Sequence, residues 1–319
     1  MLLALRMRWS HWLSGPPGVE ASPVTLTQRR IYILPTRAGL LFASTVLLML
    51  LGCVNYNLSL GYLITFLLAG AGIVSILHTF RNLARMQLAA GRAPPVFAGQ
   101  DAVFPVLLTN ATRLPRFSIA LQRPGAPTVY VDAPGEQTIV AEIRVPAQRR
   151  GRLALGRLRI FTTFPLGLFY AWSNVEVESD CVIFPKPEAG NVPLPPPTLG
   201  AQAGVEAGAG QDDFAGLRKY QPGDSLRHVA WKAVARGQPI LTKQFSGLAE
   251  GELWLEWERL PGEFGIEARL SRLTRWVVDA GRGGNTFGLR VPGTQLAPAS
   301  GSAHEEQCLS VLALFQHDA

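Results

Sequence analysis

The densest run of side chains able to do chemistry lies between Gln211 and Gly237. Pro222-Gly223 marks a turn, and Asp224 or Ser225 carries the side-chain oxygen that accepts from free amides at a helix start. Leu226, Val229, Ala230 and Ala233 then recur at helical spacing, with Gly237 and Pro239 closing the helix. On such a helix Arg227 and Trp231 stand at i and i+4, where a guanidinium lies over an indole. His228, Lys232 and Arg236 repeat at the same step as a basic edge, and Lys243 falls in a strand expected over Ile240 to Phe245. Three uses are open to this set. Asp224 as base with Tyr220 or Lys232 as acid would move a proton. Arg218, Tyr220, Arg227 and Trp231 are residue types that anchor protein interfaces. Paired with Asp224, the same arginines would lock turn, helix and sheet together. Catalysis has the thinnest support, because no activated nucleophile, phosphate-cradling loop or cofactor motif accompanies the acid and base.

Other polar signals are weaker. Cys53, Cys181 and Cys308 are far apart, and His11, His78, His228, His304 and His317 show no HxxxH or HExxH spacing, so neither a disulfide framework nor a zinc site is expected. No cofactor is expected either. Gly208-Ala209-Gly210 lacks the Gly-Lys-Ser/Thr ending of a phosphate loop. Arg282-Gly283-Gly284-Asn285 reads as a turn, His304-Glu305-Glu306 as a solvated helix start, and Arg149-Arg150-Gly151-Arg152 as a hairpin turn that near a bilayer would touch anionic headgroups.

The elements that must position these residues begin with a stretch from Ala38 to Phe80 that holds no Asp, Glu, Lys or Arg. Its two apolar blocks, Ala38 to Val54 and Leu60 to Leu77, each approach the roughly 20 residues that cross a hydrocarbon core as a helix. With only Asn55-Tyr56-Asn57-Leu58-Ser59 between them, they predict a transmembrane hairpin over 37–80. Arg29, Arg30 and Arg37 precede the first block and Arg81 and Arg85 follow the second, which places both termini in the cytoplasm and residues 1–36 as an N-terminal cytoplasmic segment. The formal charge of +7 belongs to this end, where eight arginines before Asp101 face Glu20 alone. Beyond Asp101 acid and base balance, so no nucleic-acid partner is expected, and membrane lipid is.

Residues 86–185 carry short alternating runs, among them Ala102 to Leu108, Phe117 to Leu121, Thr128 to Val131, Thr138 to Val145, Arg152 to Leu155 and Leu158 to Phe161, which predict a β-sandwich. Pro105 within the first run suggests an edge strand or bulge. Residues 186–210 are rich in Pro, Ala and Gly and read as an extended or mobile linker. Within 211–319 follow strand, helix, strand and helix over Leu253 to Trp257, Glu263 to Ala280, Thr286 to Val291 and Ala303 to Phe315, the grammar of a small α/β sheet. The fold expected is thus multidomain α and β: hairpin, sandwich and small α/β domain.

Arg218-Lys219-Tyr220-Gln221-Pro222-Gly223-Asp224, Arg227, Trp231-Lys232, Ala235-Arg236 and Lys243-Gln244-Phe245, together with Phe164-Pro165-Leu166-Gly167-Leu168-Phe169, resemble the bacterial family known only as domain of unknown function 58. That resemblance implies a membrane-anchored protein of the inner membrane without an established reaction. It further implies a MoxR-type AAA+ ATPase and often a transglutaminase-like membrane protein as partners in cell-envelope maintenance. It also implies that the C-terminal part is a von Willebrand factor A type domain, here short enough to be truncated. The adhesion-site run of that fold, Asp-x-Ser-x-Ser, is replaced by Glu256-Trp257-Glu258-Arg259-Leu260, which lacks the hydroxyl oxygens a hard cation needs. The function expected is an adaptor; the alternative is an enzyme acting on envelope precursors at the cytoplasmic face.

Overall fold

The computed structural model describes residues 23–190, 192–197, 214–220, 229–237, 239–245 and 252–316. The chain divides into two compact units, one running through Lys186 and one from Pro187 through Leu312.

In the first unit strands β1 (Val24–Thr25) and β2 (Tyr32–Pro35) precede helices α1 (Arg37–Tyr56) and α2 (Ser59–Leu83). After them come β3 (Met86–Ala90), β4 (Val96–Phe97), β5 (Asp101–Asn110), β6 (Arg116–Gln122), β7 (Val129–Ala133), β8 (Gln137–Pro146), β9 (Gly151–Ala154), β10 (Arg157–Thr162), β11 (Phe169–Glu176) and β12 (Asp180–Phe184). They pair in the orders β1-β3-β5-β8, β2-β11-β10-β6-β7 and β4-β12-β9. On β5 every second residue, Ala102, Phe104, Val106 and Leu108, is fully buried, and Ile143 of β8 stands directly opposite Phe104. Period-two burial of this kind turns one face of each sheet inward. One continuous apolar cluster collects those residues with Ile119, Leu121, Leu158 and Ile160 of the five-stranded sheet, so two antiparallel sheets share a single core.

Two local expectations are corrected here. Pro105 lies on β5, an interior strand between β3 and β8. The ladder to β3 ends at Val106, and the Gly91 carbonyl that a Pro105 N–H would have served instead accepts from Ser179 Oγ at 3.4 Å. Residues 149–152 do not form a hairpin, since β9 pairs with β12 and not with β8. The segment before the helices contributes two strands that carried no sequence expectation: β1 pairs with β3, and β2 pairs with β11, where Tyr32 stacks on Trp172 at 5.6 Å.

Both helices are long and apolar enough to cross a membrane. Their burial is inverted relative to a helix of a water-soluble core. The buried residues are small or polar, Gly39 and Cys53 on α1 and Thr65, Gly72, Ser75, Thr79 and Asn82 on α2 with Leu83. Leu41, Leu48, Leu60, Leu63, Leu67 and Ile73 are exposed. The connecting turn satisfies its own backbone: Asn57 takes a left-handed conformation at φ 51°, its N–H donates to Cys53 O, and Leu58 N–H donates to the same oxygen at 3.2 Å. Gly61 lets the helices close here, because a Cβ on it would meet Cys53 Sγ at 2.4 Å.

The second unit holds β13 (Phe214–Lys219), the short helix α3 (Trp231–Val234), β14 (Leu241–Phe245), β15 (Leu253–Glu256), α4 (Ile266–Arg282), β16 (Phe287–Val291), β17 (Thr294–Ala299) and α5 (Ser302–Leu314). β15 runs parallel to β16 across the α4 crossover, and β17 returns antiparallel after Pro292-Gly293, with Gly293 at φ +77°. Leu270, Leu273 and Val277 of α4 are fully buried, as are Leu255, Phe287 and Leu289 of the sheet. His304 is a further correction. It is buried, with Nε2 at 2.8 Å from Phe287 O and its ring 4.9 Å from the Phe287 ring, because α5 packs this turn onto the sheet.

Candidate functional site

The motif residues fall on an antiparallel ribbon and the turn of helix beside it. Arg218 of β13 pairs with Thr242 of β14, Leu217 with Lys243, and Tyr220 N–H donates to Ile240 O at 3.0 Å. Thr242 also forms a bridge with Val229, and Ala230 N–H donates to Leu241 O at 2.8 Å. This third, one-residue strand overturns the expectation of helix at Val229 and Ala230: the ladder takes Val229, and α3 starts only at Trp231, while Leu226 lies outside the described residues. An i, i+4 stack of Arg227 on Trp231 would need helix across Val229. Arg227 and Asp224 themselves lie outside the described residues.

The buried side of this turn is Val229, Ala230 and Thr242, whereas Trp231 is 58% exposed and Lys232 and Arg236 are exposed with it. Gly237, at φ +78°, ends the turn by donating to Val234 O. An indole held in water beside two cations is unsatisfied as core and suited to a partner surface. Tyr220 is half-buried at the end of β13. The structure therefore brings Tyr220, Trp231, Lys232 and Arg236, with the backbone positions of Arg218 and Lys243, onto one ribbon and its adjoining turn.

Elsewhere in this unit carboxylates are engaged by arginines. Glu256 accepts from Arg259 Nε at 2.6 Å and from Arg290 Nη1 at 2.5 Å. Among the described residues no group of three or more His, Cys, Asp or Glu side chains gathers. Burial and the charge of Glu305 push the Cys308 thiol up to about 12, and burial raises that of Cys181. Neither is a thiolate nucleophile at neutral pH.

The described part of the proline-rich stretch after Lys186, residues 187–190 and 192–197, has no helix or strand but is fastened by side chains. Glu188 accepts from Arg272 Nε and, at 2.8 Å, from Nη2, Trp276 Nε1 donates to Pro193 O at 2.9 Å, and Arg259 Nη1 donates to Pro196 O at 3.2 Å. The Arg272 guanidinium holds the Glu188 carboxyl below the usual carboxylate range. A depressed folded value means this clasp contributes fully at neutral pH and is lost as pH falls from about 4.3, the free glutamate value, through the folded one. Pepsin cleavage within 187–197 is expected to rise across that window in the wild type, by the loss of up to about 1 kcal/mol. Glu188→Gln is expected to cleave readily and without that pH dependence.

A second constellation, which sequence reasoning left unassigned, lies where the hairpin meets the sandwich. The β10–β11 turn, Phe164 to Leu168, grips both helices. Thr36 Oγ1 donates to Gly167 O at 2.6 Å, Thr36 N–H to Leu168 O at 2.9 Å, and the same hydroxyl accepts from Gly39 N–H as the α1 cap. Thr79 Oγ1 of α2 donates to Phe164 O at 2.8 Å. Asn82 pairs with the backbone of β6, Nδ2 donating to Phe117 O at 2.7 Å and Oδ1 accepting from Phe117 N–H at 3.1 Å. The available signal was Thr79 and Asn82 at the end of an otherwise apolar helix, too polar for lipid and three residues apart on one face.

Comparison with models of known families finds none that matches the chain, and comparison with curated proteins finds no match.

Proposed function

We propose that the chain is a membrane-anchored scaffold that displays a protein-docking surface, the turn around Trp231. The observation that carries this reading is the inverted hairpin, with exposed leucines outward, small and polar residues inward, and both ends built into the sandwich strands β2 and β3. In water such a surface would aggregate; in hydrocarbon it is the stable arrangement. Arginines flank only the sandwich end of the hairpin, which favours a cytoplasmic sandwich and α/β unit at a bacterial inner membrane. The partner inferred from the sequence resemblance is a MoxR-type ATPase, with a transglutaminase-like membrane protein as a second. The three-stranded sheet with α4 and α5 is, on the same resemblance, of von Willebrand factor A type.

The experiment is carbonate extraction of the full-length chain from bacterial membranes, with impermeant thiol labelling of a cysteine placed at exposed Arg236. The reading expects the chain in the pellet and label only after lysis; a chain in the supernatant, or labelled in intact cells, overturns it. ATP-dependent co-purification of the ATPase is expected to fall at least tenfold with Trp231→Ala, about 1.4 kcal/mol of a buried aromatic anchor. Retention equal to wild type by a folded variant removes the docking surface.

A further inference from the structure

The junction between hairpin and sandwich contains a cavity of about 420 Å³ that the clasp does not fill. Its walls include His78 and Arg81 from the last turns of α2, Leu114, Arg116 and Phe117 at the start of β6, and Phe164. The volume is within the range that holds small ligands. Arg116 is 6% exposed, yet among the described residues its side-chain hydrogen bonds leave only from Nη2, to Ala84 O at 3.4 Å and Thr112 Oγ1 at 3.2 Å. Its Nε is buried without a partner. Among the described residues neither Arg116 nor Arg81 meets a carboxylate. Burial and the charge of Arg81 lower the Arg116 pKa, so the two cations oppose each other across the cavity they both line. A buried cation left in this state is costly, and an anion relieves it.

The surroundings narrow the anion. Leu114 is 50% and Phe117 40% exposed, so the cations share the cavity with apolar wall. His78 and Arg81 stand on either side of Phe80, where the charge-free stretch ends and a bilayer would reach its headgroups. Guanidinium groups bind phosphate oxygens in forked geometry, and basic pockets beside spanning helices at this depth take anionic headgroups.

We infer that the cavity holds the phosphate of an anionic phospholipid, with its acyl chains free to lie along the exposed apolar side chains of α2. The inference rests on the membrane-anchor reading. The test titrates the full-length protein in neutral detergent with dioctanoyl phosphatidylglycerol, dioctanoyl phosphatidylcholine or inorganic phosphate, reading the thermal midpoint, which a ligand of the folded state raises by mass action. Phosphatidylglycerol is expected to raise the midpoint saturably, while phosphatidylcholine and inorganic phosphate at equal concentration leave it unchanged. Arg81→Gln, on an exposed side chain, is expected to weaken phosphatidylglycerol about fivefold, the worth of one arginine at a membrane surface. Arg116→Gln is expected to abolish the selectivity, with circular dichroism checking that it has folded. Equal response to both lipids, or wild-type affinity in Arg81→Gln, overturns the site. A response to inorganic phosphate as large as that to phosphatidylglycerol overturns the lipid and assigns the cavity to a soluble phosphate compound. Carbonate extraction separates the two failures: a chain retained in the pellet without lipid selectivity loses only the cavity, whereas a chain in the supernatant loses the anchor and the cavity together.

Discussion

Gly39→Ala is expected to lower the stability of the detergent-solubilised protein by about 3 kcal/mol, at the upper end for overpacking a closed site. A Cβ at Gly39 would lie 2.0 Å from the Leu168 carbonyl oxygen and 3.0 Å from its carbon. Both partners are backbone, Gly39 in the first turn of α1 and Leu168 in the turn that receives two hydrogen bonds from Thr36, so neither yields without breaking the clasp. Gly52→Ala and Gly70→Ala are the controls. Nothing lies within 4 Å of a Cβ at either position, and alanine favours helix, so their midpoints are expected to match or slightly exceed wild type. Equal melting of all three variants would mean that α1 is not fastened at Leu168.

Asn82→Leu is expected to cost about 3–4 kcal/mol, because it removes the partner from several buried polar groups at once. Asn82 is 4% exposed and holds Phe117 N–H, Phe117 O and Thr162 Oγ1, the last at 3.0 Å. Leucine keeps the four heavy atoms and the Cγ branch of asparagine while removing its donor and acceptor. Hydrogen exchange gives the local readout: the Phe117 amide is expected to be strongly protected in the wild type and to exchange at least a hundredfold faster in the variant, while the Ile143 amide in the sandwich core changes far less.

The legible parts of this chain were those with a strong local pattern. An uncharged run of helical length announces the hairpin, and period-two alternation gave β5, β6, β8 and β10 to within about two residues. Strands β1 and β2 went unread because they are two and four residues long and flank Arg29 and Arg30. Their pairing is purchased by partners far along the chain, which no local window contains. Strand β17 was hidden by Pro298 and alanines, residues that strands disfavour, and exists because β16 offers it a ladder after a Pro-Gly turn. The helix expected through Val229 failed for the same reason, since the ladder to Thr242 outweighs helical spacing.

The motif cluster was legible as a set, and less so as a geometry. Its residue types marked the ribbon and turn, but which of them would stand in water depended on the bridge at Val229. Arg116 was invisible as a binding residue, because one arginine in a strand carries no spacing signal. Its meaning comes from a buried guanidinium whose Nε has no partner among the described residues and which lines the same cavity as Arg81, an arrangement only the packed junction reveals.

The ladder between Tyr32–Pro35 and Phe169–Trp172 spans the whole hairpin, and this sets an order of events during synthesis. A nascent chain carries β2 without its partner until Trp172 has left the ribosome, on the order of ten seconds after Tyr32. On the proposed membrane-anchor reading, insertion of α1 and α2 therefore comes first, and the five-stranded sheet closes afterwards on a strand already tethered at the bilayer. Severing the chain at either root of the hairpin cuts the outer strand β2 away from β11, so the sandwich is not a module that can be released intact from the two helices.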